Sequence, residues 1–160
     1  ESLAISQFLE NEYILKKLRE QGGAYGGGMT VSYFGDVGFY SYRDPRLDAT
    51  IQTLTQIPDF LSSGQFPQSN VDSAIIRTVG HLDRPRTAPQ KAKLAMQRHF
   101  SGITKKDLEQ IRRQVLTLDT QRVKAFSDDL DEVLSQAQIS ATGNKAKLKK
   151  SQKLKTVIEL

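Results

Sequence analysis

Arg19 and Tyr25 are the two side chains whose types and spacing best fit work on a reacting carbonyl. A guanidinium is a fixed cation and a phenol is a hydrogen-bond donor, so a pair held together would steady a developing oxyanion or hold a substrate carbonyl. The setting supports that chemistry: Gly22, Gly23, Gly26, Gly27 and Gly28 crowd around Tyr25, although the whole chain has only 11 glycines. Each glycine costs about 0.5–1 kcal/mol relative to alanine through lost backbone entropy. It also permits sharp turns and the close approach of another backbone, and a structural turn alone seldom needs so many.

Other chemistries fit less well. The glycine run matches neither the phosphate loop, G-x-x-x-x-G-K-[ST], nor the dinucleotide fingerprint, G-x-G-x-x-G. It follows a helix and precedes a strand, so its amides would not lie at the helix N-terminus where phosphate is held. His81 and His99 are the only histidines and fall on separate helices, and His81-Leu82-Asp83 lacks the second histidine a zinc site wants. Asp128-Asp129 and Asp131-Glu132 read as a solvated helix face rather than a buried acid–base pair. Tyr33, Tyr40 and Tyr42 alternate with Phe34 and Phe39 and would line one face of a cleft, though sheet packing accounts for most of them.

To position Arg19 and Tyr25 the chain needs a helix before the glycines and a strand after them. Ile5, Phe8, Leu9, Tyr13, Leu15 and Leu18 form one broad apolar stripe, which predicts a helix over 3–20 ended by Gly22-Gly23. Segments 24–34 and 37–43 are rich in Tyr, Phe and Val around Gly35-Asp36, which predicts a β-hairpin over 24–43.

A helical region over 45–135 follows. Asp44-Pro45 caps its first helix, which carries Leu47, Ile51, Leu54 and Leu61 and is kinked or ended at Pro58. Ser69-Asn70-Val71-Asp72 starts a second helix, packed on the sheet through Val71, Ile75, Val79 and Leu82. Residues 90–100 form a third, stopped by Gly102, with Leu94 and Met96 in the core. Thr104 and Asp119 open the last two, with Leu108, Ile111, Val115 and Leu118 on one and Val123, Phe126, Leu130 and Leu134 on the other. Over 137–160, short strands at 138–141 and 156–158 flank a lysine-rich segment, with Gly143-Asn144 as a turn. The fold class is α+β: a small antiparallel sheet covered by several helices, with no internal repeat.

Composition narrows the function further. A chain of 160 residues buries about 68–70% of its unfolded surface and needs no staple. With no cysteine, thiolate zinc sites, iron–sulfur clusters and a cysteine nucleophile are excluded, and a disulfide-dense secreted scaffold is disfavoured. No apolar run is long enough to span a membrane. The formal charge of +5 is local: six of the 23 Lys and Arg lie between Lys145 and Lys155, and the remaining 17 face 18 Asp and Glu. A single lysine run without aromatic interleaving reads as a solvated helix and loop rather than a nucleic-acid surface. The chain starts at Glu1 rather than methionine and enters a helix at once, which suggests a piece cut from a longer protein.

The stretch Leu18-Arg19-Glu20-Gln21-Gly22-Gly23-Ala24-Tyr25-Gly26-Gly27-Gly28, followed by Phe39-Tyr40-Ser41-Tyr42-Arg43-Asp44-Pro45, resembles the presequence-protease branch of the insulinase-type (pitrilysin) zinc peptidases. The resemblance continues through Val71-Asp72-Ser73-Ala74-Ile75-Ile76 and Asp83-Arg84-Pro85. It implies the last of four homologous domains, lacking its start. In such enzymes two halves close as a clamshell around a chamber. An inverted H-x-x-E-H motif in the first domain binds zinc, and the last domain lends an arginine and a tyrosine across the chamber. By that resemblance Tyr25 would hydrogen-bond the scissile carbonyl oxygen or the tetrahedral intermediate, and Arg19 would hold substrate or support that contact. This sequence contains no H-x-x-E-H, so zinc would be bound in the parent enzyme outside this fragment, and the fragment alone is expected to be inactive.

The resulting expectation is a C-terminal portion of a zinc metalloendopeptidase that degrades unstructured peptides. Its partners would be the N-terminal half of the same polypeptide and the unstructured peptide substrates, with no membrane and with nucleic acid disfavoured. Its compartment would be the cytoplasm or, alternatively, the mitochondrial matrix or chloroplast stroma. Two other classes stay open: a non-catalytic scaffold of the same fold, and a basic nucleic-acid-binding module working through the lysines of 145–155.

Overall fold

The structure, a computed structural model, describes residues 1–32, 35–156 and 158. Helix α1, Ser2–Leu9, turns Ala4, Ile5, Phe8 and Leu9 into the core. Without a break it widens into a π-helix, Glu10–Glu20, which buries Tyr13, Ile14 and Leu18. Leu9, Ile14 and Leu18 step by five and then four residues, the spacing that i→i−5 bonding brings to one face. The widening persists to the end, where the Gln21 amide donates to the Lys16 carbonyl at 3.1 Å. Residues 3–20 read as a single helix from sequence; the structure builds two kinds of helix there, with Leu18 buried and Arg19 exposed at the end of the wider one.

Strands β1, Gly26–Val31, and β2, Val37–Tyr42, pair antiparallel with Gly26 opposite Tyr42 and Gly28 opposite Tyr40. They are shorter than the 24–34 and 37–43 expected, and Tyr33 and Phe34 lie outside the described residues. Gly27 and Met29 face the π-helix and α1 and are buried. A side chain on Gly27 would lie 2.9 Å from Leu18 Cδ2, so glycine lets this strand approach the helix closely. Phe39 packs on the same core from β2.

Helices α2, Leu47–Thr55, and α3, Ile57–Ser63, follow, with Pro58 in the first turn of α3, where its missing N–H leaves no bond unmade. Helix α4, Gln68–Leu82, packs on α1 and α6, not principally on the sheet as expected. It starts after Pro67, one residue ahead of Ser69, and no side chain caps it. The Asp72 carboxylate instead accepts a bond from the Gln68 side chain at 2.9 Å.

Helix α5, Ala88–Phe100, is closed at its start by a capping box between Thr87 and Gln90. None of its residues is buried among the described residues: Met96 is 56% exposed and Leu94 half-buried, so neither is the core residue expected. Helix α6, Lys105–Leu116, is capped by Thr104 and α7, Thr120–Ser135, by Asp119, as the sequence signals predict. Helix α7 packs against α3 through Val123 and Leu130.

Residues 138–141 have no regular structure, so the strand expected there is not formed. Of the second expected strand, 156–158, Val157 lies outside the described residues. Between them Asn144 caps the short helix α8, Lys145–Lys150, accepting from the Ala146 amide at 3.0 Å. The core joins Phe8, Ile14, Ile57, Leu61, Val71 and Leu130, with the Phe8 ring edge-on to Phe66 at 4.8 Å. The architecture is thus α+β, mostly helical with a two-stranded antiparallel sheet. Among the described residues no helix is long and apolar enough to cross a membrane.

Candidate functional site at the glycine turn

The π-helix ends in a closure that places Arg19 and Tyr25 on either side of one turn. Gly23, with φ +77°, takes the left-handed conformation common just past a helix end. Its amide donates to the Arg19 carbonyl at 3.1 Å, and the Ala24 amide reaches the Leu18 carbonyl at 2.9 Å. This wrap is one residue wider than the usual Schellman motif, as the π pitch requires. Gly22 is buried, and a Cβ there would collide with the Leu18 carbonyl and stand 2.5 Å from Arg46 Nη2.

Arg19 sits on the last turn with its side chain exposed, and it forms no hydrogen bond or ion pair among the described residues. Tyr25 is tied by its backbone, whose amide donates to the Tyr42 carbonyl at 3.1 Å and extends the ladder beyond β1. Its side chain is 68% exposed, and its hydroxyl makes no hydrogen bond among the described residues. A phenol held on a sheet end with no partner among the described residues can donate to an incoming oxygen acceptor.

What surrounds the Tyr25 ring is not Arg19. No hydrogen bond or cation–π contact joins Arg19 to Tyr25 among the described residues. The ring meets Tyr42 edge-to-face, with centroids 5.9 Å apart and planes at 84°. The Arg43 guanidinium carbon lies 5.7 Å from the Tyr25 centroid and 5.4 Å from that of Tyr42, within cation–π range of both. Arg43 has φ 49°, alone among the described non-glycine residues in being positive. The turn beyond it is fixed by Asp44, which accepts from the Arg46 amide at 2.8 Å and from Thr50 Oγ1 at 2.6 Å. Asp44 was expected to cap the next helix; Arg46 occupies that position and Asp44 closes the preceding loop instead.

Arg43 was visible in sequence only as part of the Tyr42-Arg43-Asp44-Pro45 run. An arginine in the left-handed region gives no signal of its own.

The outer face of the hairpin sets glycines against tyrosines. A Cβ on Gly28 would lie 2.8 Å from the Tyr40 hydroxyl and 3.0 Å from its ring, so the ring lies over the glycine. Tyr40 and Tyr42 are half exposed, not packed inside the sheet as expected for most of the hairpin aromatics, whereas Phe39 is packed on the core.

The remaining candidates do not assemble. His81 lies on α4 and His99 on α5, and among the described residues no group of three His, Cys, Asp or Glu is placed to hold a metal ion. The resemblance places the zinc ligands outside this chain, and these described residues offer no set of their own to hold the metal. Asp128, Asp129, Asp131 and Glu132 are exposed on α7. The lysines of α8 are exposed, and Lys145 and Lys149 are engaged with other groups.

Comparison with known proteins agrees with the sequence motifs. The family described as PreP C-terminal domain matches residues 1–143. The mitochondrial presequence protease of Xenopus tropicalis is 33% identical over 71% of this chain and 11% of its own length. Presequence protease 1, chloroplastic/mitochondrial, of Arabidopsis thaliana is 32% identical over 81% of this chain and 12% of its own. Protein HypA of Clostridium perfringens is 26% identical over 94% of this chain and 15% of its own. The chain thus spans between 11% and 15% of the length of these relatives.

Proposed function

This chain belongs to the PreP C-terminal domain family, and from that premise we propose that it is part of a zinc metalloendopeptidase acting on unstructured peptides. Within that enzyme it forms part of the chamber wall and presents Tyr25 to the scissile carbonyl oxygen as negative charge develops there. Arg19, on the other side of the glycine turn, engages the substrate. The observation that carries the reading is Tyr25, 68% exposed and with no hydrogen bond to its hydroxyl among the described residues, on a sheet end that Gly23 and the Tyr42 carbonyl hold in place.

Zinc would be held by the N-terminal half of the same polypeptide and would supply an activated water there; the residues here hold and polarise the substrate. The isolated piece is inactive on this reading, because the H-x-x-E-H motif would lie in another part of the enzyme. The relatives named mitochondrial or chloroplastic support an organellar matrix over the cytoplasm.

The test is Tyr25→Phe in the parent enzyme, assayed on an unstructured peptide. Loss of one oxyanion donor lowers kcat by about 10²–10³-fold with KM little changed. A kcat near wild type would remove Tyr25 from the chemistry while leaving the family assignment intact.

A further inference from the structure

We infer that Arg43 is a positioning residue for Tyr25, clamping its ring against Tyr42 so that the phenol hydroxyl is presented in one orientation; this rests on the reading of Tyr25 as the oxyanion donor. The Tyr25 side chain is 68% exposed and its hydroxyl is not tethered by any described residue, so packing alone does not choose its rotamer. Its aromatic and cation–π partners among the described residues are two: the edge of Tyr42 at 5.9 Å and the guanidinium of Arg43 at 5.7 Å. The same guanidinium is 5.4 Å from the Tyr42 centroid, so one cation serves both rings.

The backbone supports a role for the side chain. At φ 49° the position favours glycine, so a turn needing only that geometry would be better served without a side chain. What arginine adds is its guanidinium, which forms no ion pair or hydrogen bond among the described residues and is instead directed to the rings. Asp44, bonded to the Arg46 amide and to Thr50, holds the loop that aims it. Arg19, the cation closest in sequence, makes no such contact, so the two arginines divide the work: Arg19 faces substrate and Arg43 holds the tyrosine.

The test uses the full-length parent enzyme carrying fluorotyrosine at position 25. Arg43→Gly removes the side chain while leaving a backbone conformation that glycine adopts without strain, which protects the fold. The fluorine resonance of Tyr25 shifts and broadens in Arg43→Gly and is partly restored in Arg43→Lys, whose ammonium also engages aromatic faces. In the unlabelled enzyme kcat falls about tenfold, the scale that two exposed cation–π contacts support, with KM within about twofold. The double variant Arg43→Gly/Tyr25→Phe has the kcat of Tyr25→Phe alone, because an undirected phenylalanine ring has no hydroxyl to aim.

An unchanged fluorine resonance overturns the clamp whatever the kinetics. Losses that multiply in the double variant overturn it as well, since Arg43 would then act on substrate directly. If Tyr25→Phe alone retains full kcat, the catalytic reading of Tyr25 fails, while the fluorine experiment still decides whether Arg43 holds the ring.

Discussion

At Gly22 the backbone lies against the Leu18 carbonyl and the Arg46 guanidinium, so even a methyl group collides with both, and of the two only the guanidinium sits on a flexible side chain. The carbonyl belongs to the helix end that Ala24 closes, and it cannot move without opening that closure. Gly22→Ala should therefore lower the urea midpoint of the chain and loosen the link between Arg19 and Tyr25. Gly80 is the control: it is exposed within α4 with open space where a Cβ would go. There alanine should stabilise by about 0.5–1 kcal/mol through reduced backbone entropy in the unfolded chain. Equal effects at the two positions would mean that close packing at Gly22 is not what selects glycine. The glycine cluster is thus several demands at neighbouring positions: turn geometry at Gly23, crowding at Gly22, and close approach on opposite faces of the strand at Gly27 and Gly28.

Among the elements, the join between α4 and α6 carries a pH signature. Arg112 Nη1 and Nη2 donate to the two Asp83 carboxylate oxygens at 2.5 and 2.8 Å, a fork that links the end of α4 to α6. These bonds hold the Asp83 carboxyl below its ordinary value of 3.8. The Thr104 cap likewise holds Asp107 down at the start of α6. A depressed folded value means the unfolded chain binds protons first on acidification. The contribution is therefore complete above the ordinary carboxylate range and lost as pH falls through the depressed folded value. Arg112→Gln should lower stability at neutral pH and flatten the loss seen between about pH 5 and pH 3 in urea titrations. A pH profile parallel to wild type would show that the fork does not contribute to stability. The same elements show how the π-helix matters: its pitch carries Leu18 into the core and leaves Arg19 exposed on the adjacent surface.

Across the whole molecule, one core ties the helix before the site to the helices after it. Phe8 is 1% exposed and packs edge-on against Phe66 and near-parallel to Phe60, bringing α1 against α3 and the loop that follows it. Phe8→Ala should cost about 3–5 kcal/mol, read as a lower urea midpoint with the dependence on denaturant unchanged. A loss below about 1 kcal/mol would show that this aromatic cluster collapses to fill the space. Tyr13 joins the same cluster through Phe60 at 4.8 Å while donating to the Thr53 carbonyl at 3.1 Å, and burial raises its phenol above the ordinary value. Glu12 accepts from Asn70 at 2.7 Å and from Lys16 at 2.9 Å, fastening the π-helix to α4. The sheet, by contrast, has only two described strands and an outer face bearing exposed Tyr40 and Tyr42. The site therefore sits where the helical core ends and exposed aromatic rings begin.

The local signals in the sequence were enough for the features that short stretches control. Thr104 and Asp119 cap α6 and α7 because a side-chain oxygen three residues from an amide needs no distant partner. The hairpin, the glycine turn and the family motif around Arg19 and Tyr25 were legible for the same reason. Tertiary structure decided what depends on packing between distant segments. An amphipathic stripe at 3–20 suits either helical pitch, and contact with β1 and α4 accompanies the π form over Glu10–Glu20. Periodicity gives α5 an apolar side, but Met96 and Leu94 become core only if another surface covers them, and none of the described residues buries them. The short stretch Gln138-Ile139-Ser140-Ala141 has no strand beside it to pair with among the described residues. The Arg43 contacts with Tyr25 and Tyr42 likewise exist only because the hairpin brings residue 25 beside residue 42, a juxtaposition set by strand register rather than by any residue alone.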